Sequence, residues 1–359
     1  MKRLRVGLNG FGRIGRAVTR IALLRNTFDI VAVNTRKTGS ELMAYLLQYD
    51  SVYRHFEKHV DFDEKSLKID DTVIRTLQCE DILSIPWSEQ EVDLVIDATG
   101  AFTTKEDLQK HIRGTVKKVI LTAPAKDDIP HIVLGVNDEE FDFAGIPVIS
   151  NASCTTNCAA PLFKVLTSNF AVISGFLTTD HAYTQTQSLL DDALKTPDRS
   201  RAAALNIVPS TTGAAKAVVK VIPELTGKID GMAIRVPVAS VSFTDISAVV
   251  NKNTTVEEVN AAFKSASEGV MQGYMAYETQ QLVSSDYIAS PYSCTFDANY
   301  TKVINGNFVK VFGWYDNEWG YSSRIVDLVE RISDFIYNFV IPDLIGDPSH
   351  LTRFPPSRE

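Results

Sequence analysis

The run Ser150-Asn151-Ala152-Ser153-Cys154-Thr155-Thr156-Asn157-Cys158 joins a short β-branched segment, Val148–Ile149, to an apolar stretch with helical texture that continues to Leu166. Ser153 is a natural helix N-cap, which puts Cys154 in the first turn. There the helix dipole and free backbone amides favour a thiolate, the form that attacks a carbonyl carbon. The same amides can hold the oxyanion that the attack creates. Cys158 lies one turn deeper and reads as a small buried hydrophobe rather than a second nucleophile or half of a redox pair.

A thiol nucleophile needs a base. Of the 6 histidines, only His181 closes a predicted strand among small polar residues, in Thr178-Thr179-Asp180-His181-Ala182-Tyr183-Thr184. His55, His59, His111, His131 and His350 sit in charged or loop contexts and read as surface residues. Spacing alone leaves open whether His181 meets Cys154.

A second set of residues points to a nucleotide. Gly10-Phe11-Gly12-Arg13-Ile14-Gly15 follows the predicted strand Leu4–Leu8 and opens a predicted helix, Arg13–Leu24. In that context Gly10 permits a tight turn, Gly12 lets backbone approach a pyrophosphate, and Gly15 lets helix and strand pack closely, with the helix amides as donors. An acidic residue that would hold an NAD ribose belongs roughly 20 residues on, at the end of the second strand. Here Ile30–Val33 ends instead in Asn34-Thr35-Arg36-Lys37, and Asp29 precedes the strand. Two cations and a hydroxyl suit a 2′-phosphate, so NADP is expected ahead of NAD; the alternative is that Arg36 and Lys37 are solvated loop charges.

The elements that must position these residues fall into two textures. Up to about residue 150, β-branched runs at Leu4–Leu8, Ile30–Val33, Leu94–Ala98, Lys118–Leu121, Ile132–Val136 and Val148–Ile149 alternate with amphipathic stretches, as in a mostly parallel α/β sheet. Beyond about residue 170 come longer runs, Val172–Thr179, Met232–Val238, Ser240–Val250 and Asn307–Tyr315, which predict a large antiparallel sheet. Helices over Thr212–Val221 and Val256–Ser267 would cover one face, an α+β arrangement, and Tyr321–Phe339 reads as a last amphipathic helix. The expected division is 1–153 with 318–340, then 154–317, with 341–359 as a loosely held, proline-containing tail.

Composition narrows the function classes. A chain of 359 residues, 45% hydrophobic and 22% charged, fits two globular domains of roughly 150 residues each. A net charge of -8 without a basic block argues against nucleic acid and membrane surfaces as partners. No signal peptide or spanning helix is read at the start, where Asn9, Arg13 and Arg16 interrupt the apolar residues, and the cytoplasm is the expected compartment. Cys79, Cys154, Cys158 and Cys294 do not make a disulfide framework. No metal site is expected.

With Gly10–Gly15, Ser153-Cys154-Thr155-Thr156-Asn157-Cys158, His181-Ala182-Tyr183-Thr184 and Trp314-Tyr315-Asp316-Asn317-Glu318-Trp319-Gly320 in order, residues 3 to about 338 resemble the phosphorylating glyceraldehyde-3-phosphate dehydrogenases. The resemblance implies a Rossmann domain plus an antiparallel catalytic domain, usually in a homotetramer. It implies that Cys154 forms a thiohemiacetal, His181 takes the proton, hydride passes to the nicotinamide, and inorganic phosphate attacks the thioester. It assigns Thr184, Arg235 and Arg199 to the substrate phosphate and Ser153, Thr155, Thr212 and Gly213 to the inorganic phosphate. Without it, Thr211-Thr212-Gly213 is a helix start and Arg235 an ordinary strand charge. It also assigns Asn317 and Tyr321 to the nicotinamide side, the amides of Arg13 and Ile14 to the pyrophosphate, and Asn34, Thr35, Arg36 and Thr122, at strand ends, to the cofactor.

Two departures stand out. NAD-using members carry Asp where this chain has Thr35, and the loop Leu189–Asp198 is one residue short and lacks an early proline. Asp191 and Asp192 in that loop could lie near the adenosine ribose and oppose a 2′-phosphate. The rival readings are an erythrose-4-phosphate dehydrogenase, which shares the nucleophile but hydrolyses the thioester, and a non-catalytic redox-sensing protein of the same fold.

Overall fold

The computed structural model describes residues 3–338. In chain order the first part supplies β1 (Arg5–Asn9), α1 (Arg13–Arg25), β2 (Asp29–Thr35), α2 (Ser40–Gln48), the short hairpin β3 (Tyr49–Asp50) and β4 (Arg54–His55), and β5 (Val60–Asp63). It continues with β6 (Ser66–Ile69), β7 (Thr72–Gln78), β8 (Leu94–Asp97), α3 (Lys105–Gln109), β9 (Lys118–Leu121) and β10 (Val148–Ser150).

Except for the hairpin β3–β4, these strands form one sheet in the order β10-β9-β8-β1-β2-β7-β6-β5. From β10 to β7 all pairings are parallel, and the β5-β6-β7 meander closes the edge antiparallel. The interiors of β1, β8 and β9 are buried on both faces, which is why their sequences read as apolar runs without alternation. From β1 the chain builds outward on one side with β2 and on the other with β8. A crevice therefore opens at the carboxyl end of β1, where ligands of such sheets bind.

The second part contains α4 (Cys154–Phe170), β11 (Val172–Ala182), β12 (Val208–Ser210), α5 (Ala214–Val221), β13 (Ile229–Val236), β14 (Ser242–Val250) and α6 (Val256–Glu268). It ends with β15 (Met275–Glu278), β16 (Cys294–Asp297), β17 (Lys302–Ile304), β18 (Phe308–Tyr315) and α7 (Trp319–Asn338). Its sheet runs β12-β13-β11-β14-β18-β16-β15, with β17 on β18. The sheet is mixed rather than antiparallel, because β11–β13 and β15–β16 pair parallel. Along β14, buried and half-buried residues alternate strictly, so one face packs inward. That face meets Leu162 and Phe163 of α4, Val218 of α5 and Phe263 of α6 in one apolar core.

Helix α7 returns to the first sheet: Ile325, Val326, Leu328, Val329 and Ile332 share a core with Leu4, Val18 and Ile21. The final helix begins at Trp319, two residues before the expected Tyr321, and the tail 341–359 lies outside the described residues.

Ile132–Val136 is not a strand, because side chains take its backbone groups. Val133 N–H donates to Asn137 Oδ1 at 2.9 Å, Gly135 N–H to Asp138 Oδ1 at 2.7 Å, and Gly135 sits at φ +79°. The edge strands β5–β7 went unread because Val60-Asp61-Phe62-Asp63 carries alternating charge on a solvated edge.

Candidate active site

The turn into α4 presents the nucleophile. Ala152 adopts φ 52°, in the left-handed region, and Ser153 is extended with its Oγ accepting from Thr156 N–H at 3.1 Å, the expected cap. Cys154 follows as the first helical residue, partly exposed. Strand β11 carries His181 to the same place, with Nε2 3.5 Å from Cys154 Sγ. His181 Nδ1 lies 2.6 Å from the carbonyl oxygen of Ala182, an acceptor that favours a proton on Nδ1 and the lone pair of Nε2 toward the thiol, whereas the Arg235 guanidinium beside the same nitrogen favours the other tautomer.

Arg235 stands opposite His181 in the parallel register of β11 and β13. Its Nη1 donates to Ala182 O at 3.1 Å and lies 2.9 Å from His181 Nδ1. Burial, together with this guanidinium, holds His181 down at about 3. Burial pushes the Cys154 thiol up, against the opposite pull of Arg235 and Thr155. Desolvation thus works against the thiolate that the helix start and the arginine favour.

The loop after β11 gathers hydroxyls around a guanidinium. Thr184 Oγ1 lies 2.9 Å from Thr186 Oγ1, and Arg199 Nη1 donates to Thr186 Oγ1 at 3.0 Å. The Nε and Nη2 of Arg199 hold Ser210 Oγ at 3.3 and 3.2 Å. A cavity of about 690 Å³ joins Cys154, His181, Thr184, Arg235, Ser153 and Asn317. Thr155, Thr212 and Gly213 are not on its wall. Thr155 shares a 2.9 Å hydrogen bond with the buried Tyr315 hydroxyl, while Thr212 Oγ1 accepts from Ala214 N–H at 3.1 Å where Gly213 precedes α5.

A second cavity, of about 740 Å³, runs along the carboxyl ends of β1, β2 and β8 and shares Arg13, Ile14 and Thr122 with the first. Its floor fits a dinucleotide pyrophosphate. Helix α1 has no side-chain cap and no acid in its first turn, which leaves its first amides to a ligand. A Cβ on Gly12 would meet nothing within 4 Å, so only open space faces that backbone. Gly10 has φ +102° with the Ala98 backbone 2.8 Å from its missing Cβ, and a Cβ on Gly15 would sit 2.2 Å from Gly10 O. The three glycines thus have the expected roles of turn, open approach and close packing.

Asn34, Thr35 and Arg36 line this groove. The Asn34 amide is already bonded to Asn9 Oδ1 at 2.8 Å and to the Cys79 backbone, and Thr35 Oγ1 donates to Thr38 O at 2.9 Å. Arg36 is exposed on the groove wall; Lys37 is not on it.

The chain matches the family models for the glyceraldehyde 3-phosphate dehydrogenase NAD-binding domain over residues 4–105 and for its C-terminal domain over residues 153–317. It is 50% identical over 326 residues to glyceraldehyde-3-phosphate dehydrogenase 2 of Streptomyces avermitilis, covering 90% of this chain and 97% of that one. Glyceraldehyde-3-phosphate dehydrogenase 1 of Bacillus cereus is 49% identical over 324 residues, with 90% and 97% covered. A cytosolic glyceraldehyde-3-phosphate dehydrogenase of Mesembryanthemum crystallinum is 45% identical over 336 residues, with 93% and 99% covered.

This chain belongs to the glyceraldehyde 3-phosphate dehydrogenase family.

Within the family's site, Asn317 lines the cavity and accepts from Ser242 Oγ through Oδ1 at 3.1 Å. Tyr321 donates to Ala152 O at 3.0 Å and ties α7 to the turn ahead of Cys154. Asp316 was missed as an organiser. Its Oδ1 accepts from Tyr53 Oη, Ser240 Oγ and the amides of Glu318 and Trp319 at 2.9 to 3.1 Å, and its Oδ2 from Ala289 N–H at 2.8 Å.

Thr186 was missed too, because a turn closed by Gln187 N–H on Thr184 O at 3.0 Å, and not strand alternation, brings the two hydroxyls together. His111 and His131 are not surface residues but are 0% and 4% exposed. His111 accepts from Trp87 Nε1 at 3.0 Å and lies 3.2 Å from Asp97 Oδ2. Among the described residues, no group of three or more His, Cys, Asp or Glu is placed to hold a metal ion.

Proposed function

We propose that this chain oxidises glyceraldehyde 3-phosphate with inorganic phosphate to 1,3-bisphosphoglycerate, a nicotinamide dinucleotide accepting the hydride. The observation that carries the reading is the 3.5 Å approach of Cys154 Sγ to His181 Nε2 inside a cavity with Arg235 on its wall. The sulfur adds to the aldehyde carbon as its proton passes to Nε2, giving a thiohemiacetal alkoxide held by the first amides of α4 and the new imidazolium. The nicotinamide, when bound, supplies the hydride acceptor. Loss of hydride turns the alkoxide into a thioester carbonyl. Phosphate attacks that carbon, releases its own proton to solvent, and expels Cys154 sulfur, which recovers its proton from His181.

The Arg235 charge beside His181 opposes that imidazolium in the empty site. A substrate phosphate on Thr184, Arg235 and Arg199 offsets the charge and makes the base usable when substrate is present. Ser153 lines the cavity where the attacking phosphate would enter, while Thr155, bonded to Tyr315, and Thr212 and Gly213, ahead of α5, stand behind its wall.

NADP is preferred over NAD in this reading. Arg36 on the groove wall supports it, as does Asp191, whose charge is taken by Arg201 at 2.7 Å within its own loop. The division into 1–153 with 318–340 and 154–317 is supported by three apolar clusters, two within the first unit and one centred on the second, the last also taking in Val133, Val136 and Ala152. A homotetramer accounts for exposed apolar residues in one loop region: Leu189, Leu190 and Leu205 are 81%, 71% and 78% exposed. A cytoplasmic location fits four free cysteines and the lack, among the described residues, of a helix able to cross a membrane. Steady-state assays with glyceraldehyde 3-phosphate and phosphate, run with each nicotinamide in turn, test the reading; a product that forms equally well without phosphate would favour the hydrolytic rival.

A further inference from the structure

Arg13 opens α1, whose amides form the pyrophosphate cradle, yet its guanidinium does not face that cradle. It reaches Glu318, 305 residues away, with Nε 3.0 Å from both carboxylate oxygens and Nη2 2.6 Å from Oε2. Its Nη1 bonds Asp50. Tyr53 completes the cluster: its ring packs 5.4 Å from the Arg13 guanidinium and 4.9 Å from Trp319, and its hydroxyl bonds Asp316. Asn317, which lines the cavity, therefore sits between two carboxylates. Asp316 is fixed by five donors and Glu318 by the two-pronged arginine.

The geometry points to Arg13 and Glu318 as a positioning pair that sets the distance between the pyrophosphate cradle on α1 and the carboxamide holder Asn317, and so places the nicotinamide over Cys154. This rests on the dinucleotide reading of the groove. A two-pronged guanidinium–carboxylate pair is directional, unlike a point-charge contact, so it fixes orientation as well as distance. The pair ties the start of α1 to the residue before α7, while Arg25 with Asp327 and Glu330 ties the far end of α1 to the same helix. Two carboxylates also neutralise Arg13, and burial notwithstanding they hold its proton more firmly than in free arginine. The guanidinium is thereby kept from the phosphates, which the α1 amides serve alone.

ADP-ribose carries the pyrophosphate and adenosine but no nicotinamide, so it separates positioning from general support. In the full chain, Glu318→Gln should weaken NAD binding about tenfold in calorimetry while ADP-ribose binding stays within about twofold of wild type. Arg13→Lys keeps the charge but loses the fork and should show the same pattern more weakly; it serves alone if Glu318→Gln does not fold. Unchanged NAD binding, equal weakening of both ligands, or tighter ADP-ribose binding from a freed Arg13 would each overturn the assignment. If wild type binds neither NAD nor NADP, the dinucleotide reading itself fails, and the positioning role with it.

Discussion

Cys154 Sγ and His181 Nε2 face each other at 3.5 Å although 27 residues separate them, because α4 begins and β11 ends at the same corner of the second sheet. Burial opposes the charge on both groups, and each is placed to exchange a proton with the other. His181→Asn should lower kcat by about 10²–10⁴-fold with little change in thermal stability. Steady-state kinetics with a melting curve checks this, and a kcat within threefold of wild type would remove His181 as the base.

The depressed His181 also links folding to pH. Below pH 6.5 the unfolded chain binds a proton here that the folded chain refuses until about pH 3, so stability is lost as pH falls through that window. The loss from this group is roughly a few kcal/mol. Denaturant melts from pH 7 to 4 should show a shallower decline for His181→Gln than for wild type; parallel curves would mean that the folded histidine titrates normally.

If the substrate phosphate offsets Arg235, an aldehyde without a phosphate should suffer in kcat and not only in KM. Glyceraldehyde is expected to turn over at least about a hundredfold more slowly at saturation than its 3-phosphate. Equal kcat values with a raised KM would show Arg235 and Arg199 to be a binding handle only.

The two cradle glycines should separate folding from binding. Gly12→Ala adds a Cβ to open space at an allowed φ of -72°, so it should change stability within about 1 kcal/mol yet weaken dinucleotide binding. Gly15→Ala drives a Cβ to 2.2 Å from Gly10 O and should destabilise the fold by about 1–3 kcal/mol. Paired melting and cofactor titrations read both effects.

Arg36→Ala should raise KM for NADP about tenfold and leave that for NAD within about twofold, if Arg36 meets a 2′-phosphate. Equal effects on both cofactors would make it a solvated charge.

Much of this was legible because it is local. Gly10, Gly12 and Gly15 report backbone demands of a single turn, and Ser153 caps the helix that carries Cys154, so type and spacing suffice. What stayed hidden depends on distant chain. The parallel pairing of β11 with β13, which sets Arg235 beside His181, comes from a crossover that no periodicity reports. Glu318 looks like a surface acid until Arg13 is brought to it. His111 reads as exposed because its partners, Trp87 and Asp97, belong to other elements. Ile132–Val136 has a strand's composition, but Asn137 and Asp138 capture its amides.

The central claim is that Cys154 holds an acyl group which only phosphate releases. Rapid mixing of the enzyme with glyceraldehyde 3-phosphate and a nicotinamide dinucleotide, phosphate being omitted, measures this directly. The account predicts a burst of about one reduced cofactor per site that stops, resumes on addition of phosphate, and is absent in Cys154→Ser. Continuous turnover without phosphate, or a burst that survives Cys154→Ser, would contradict it.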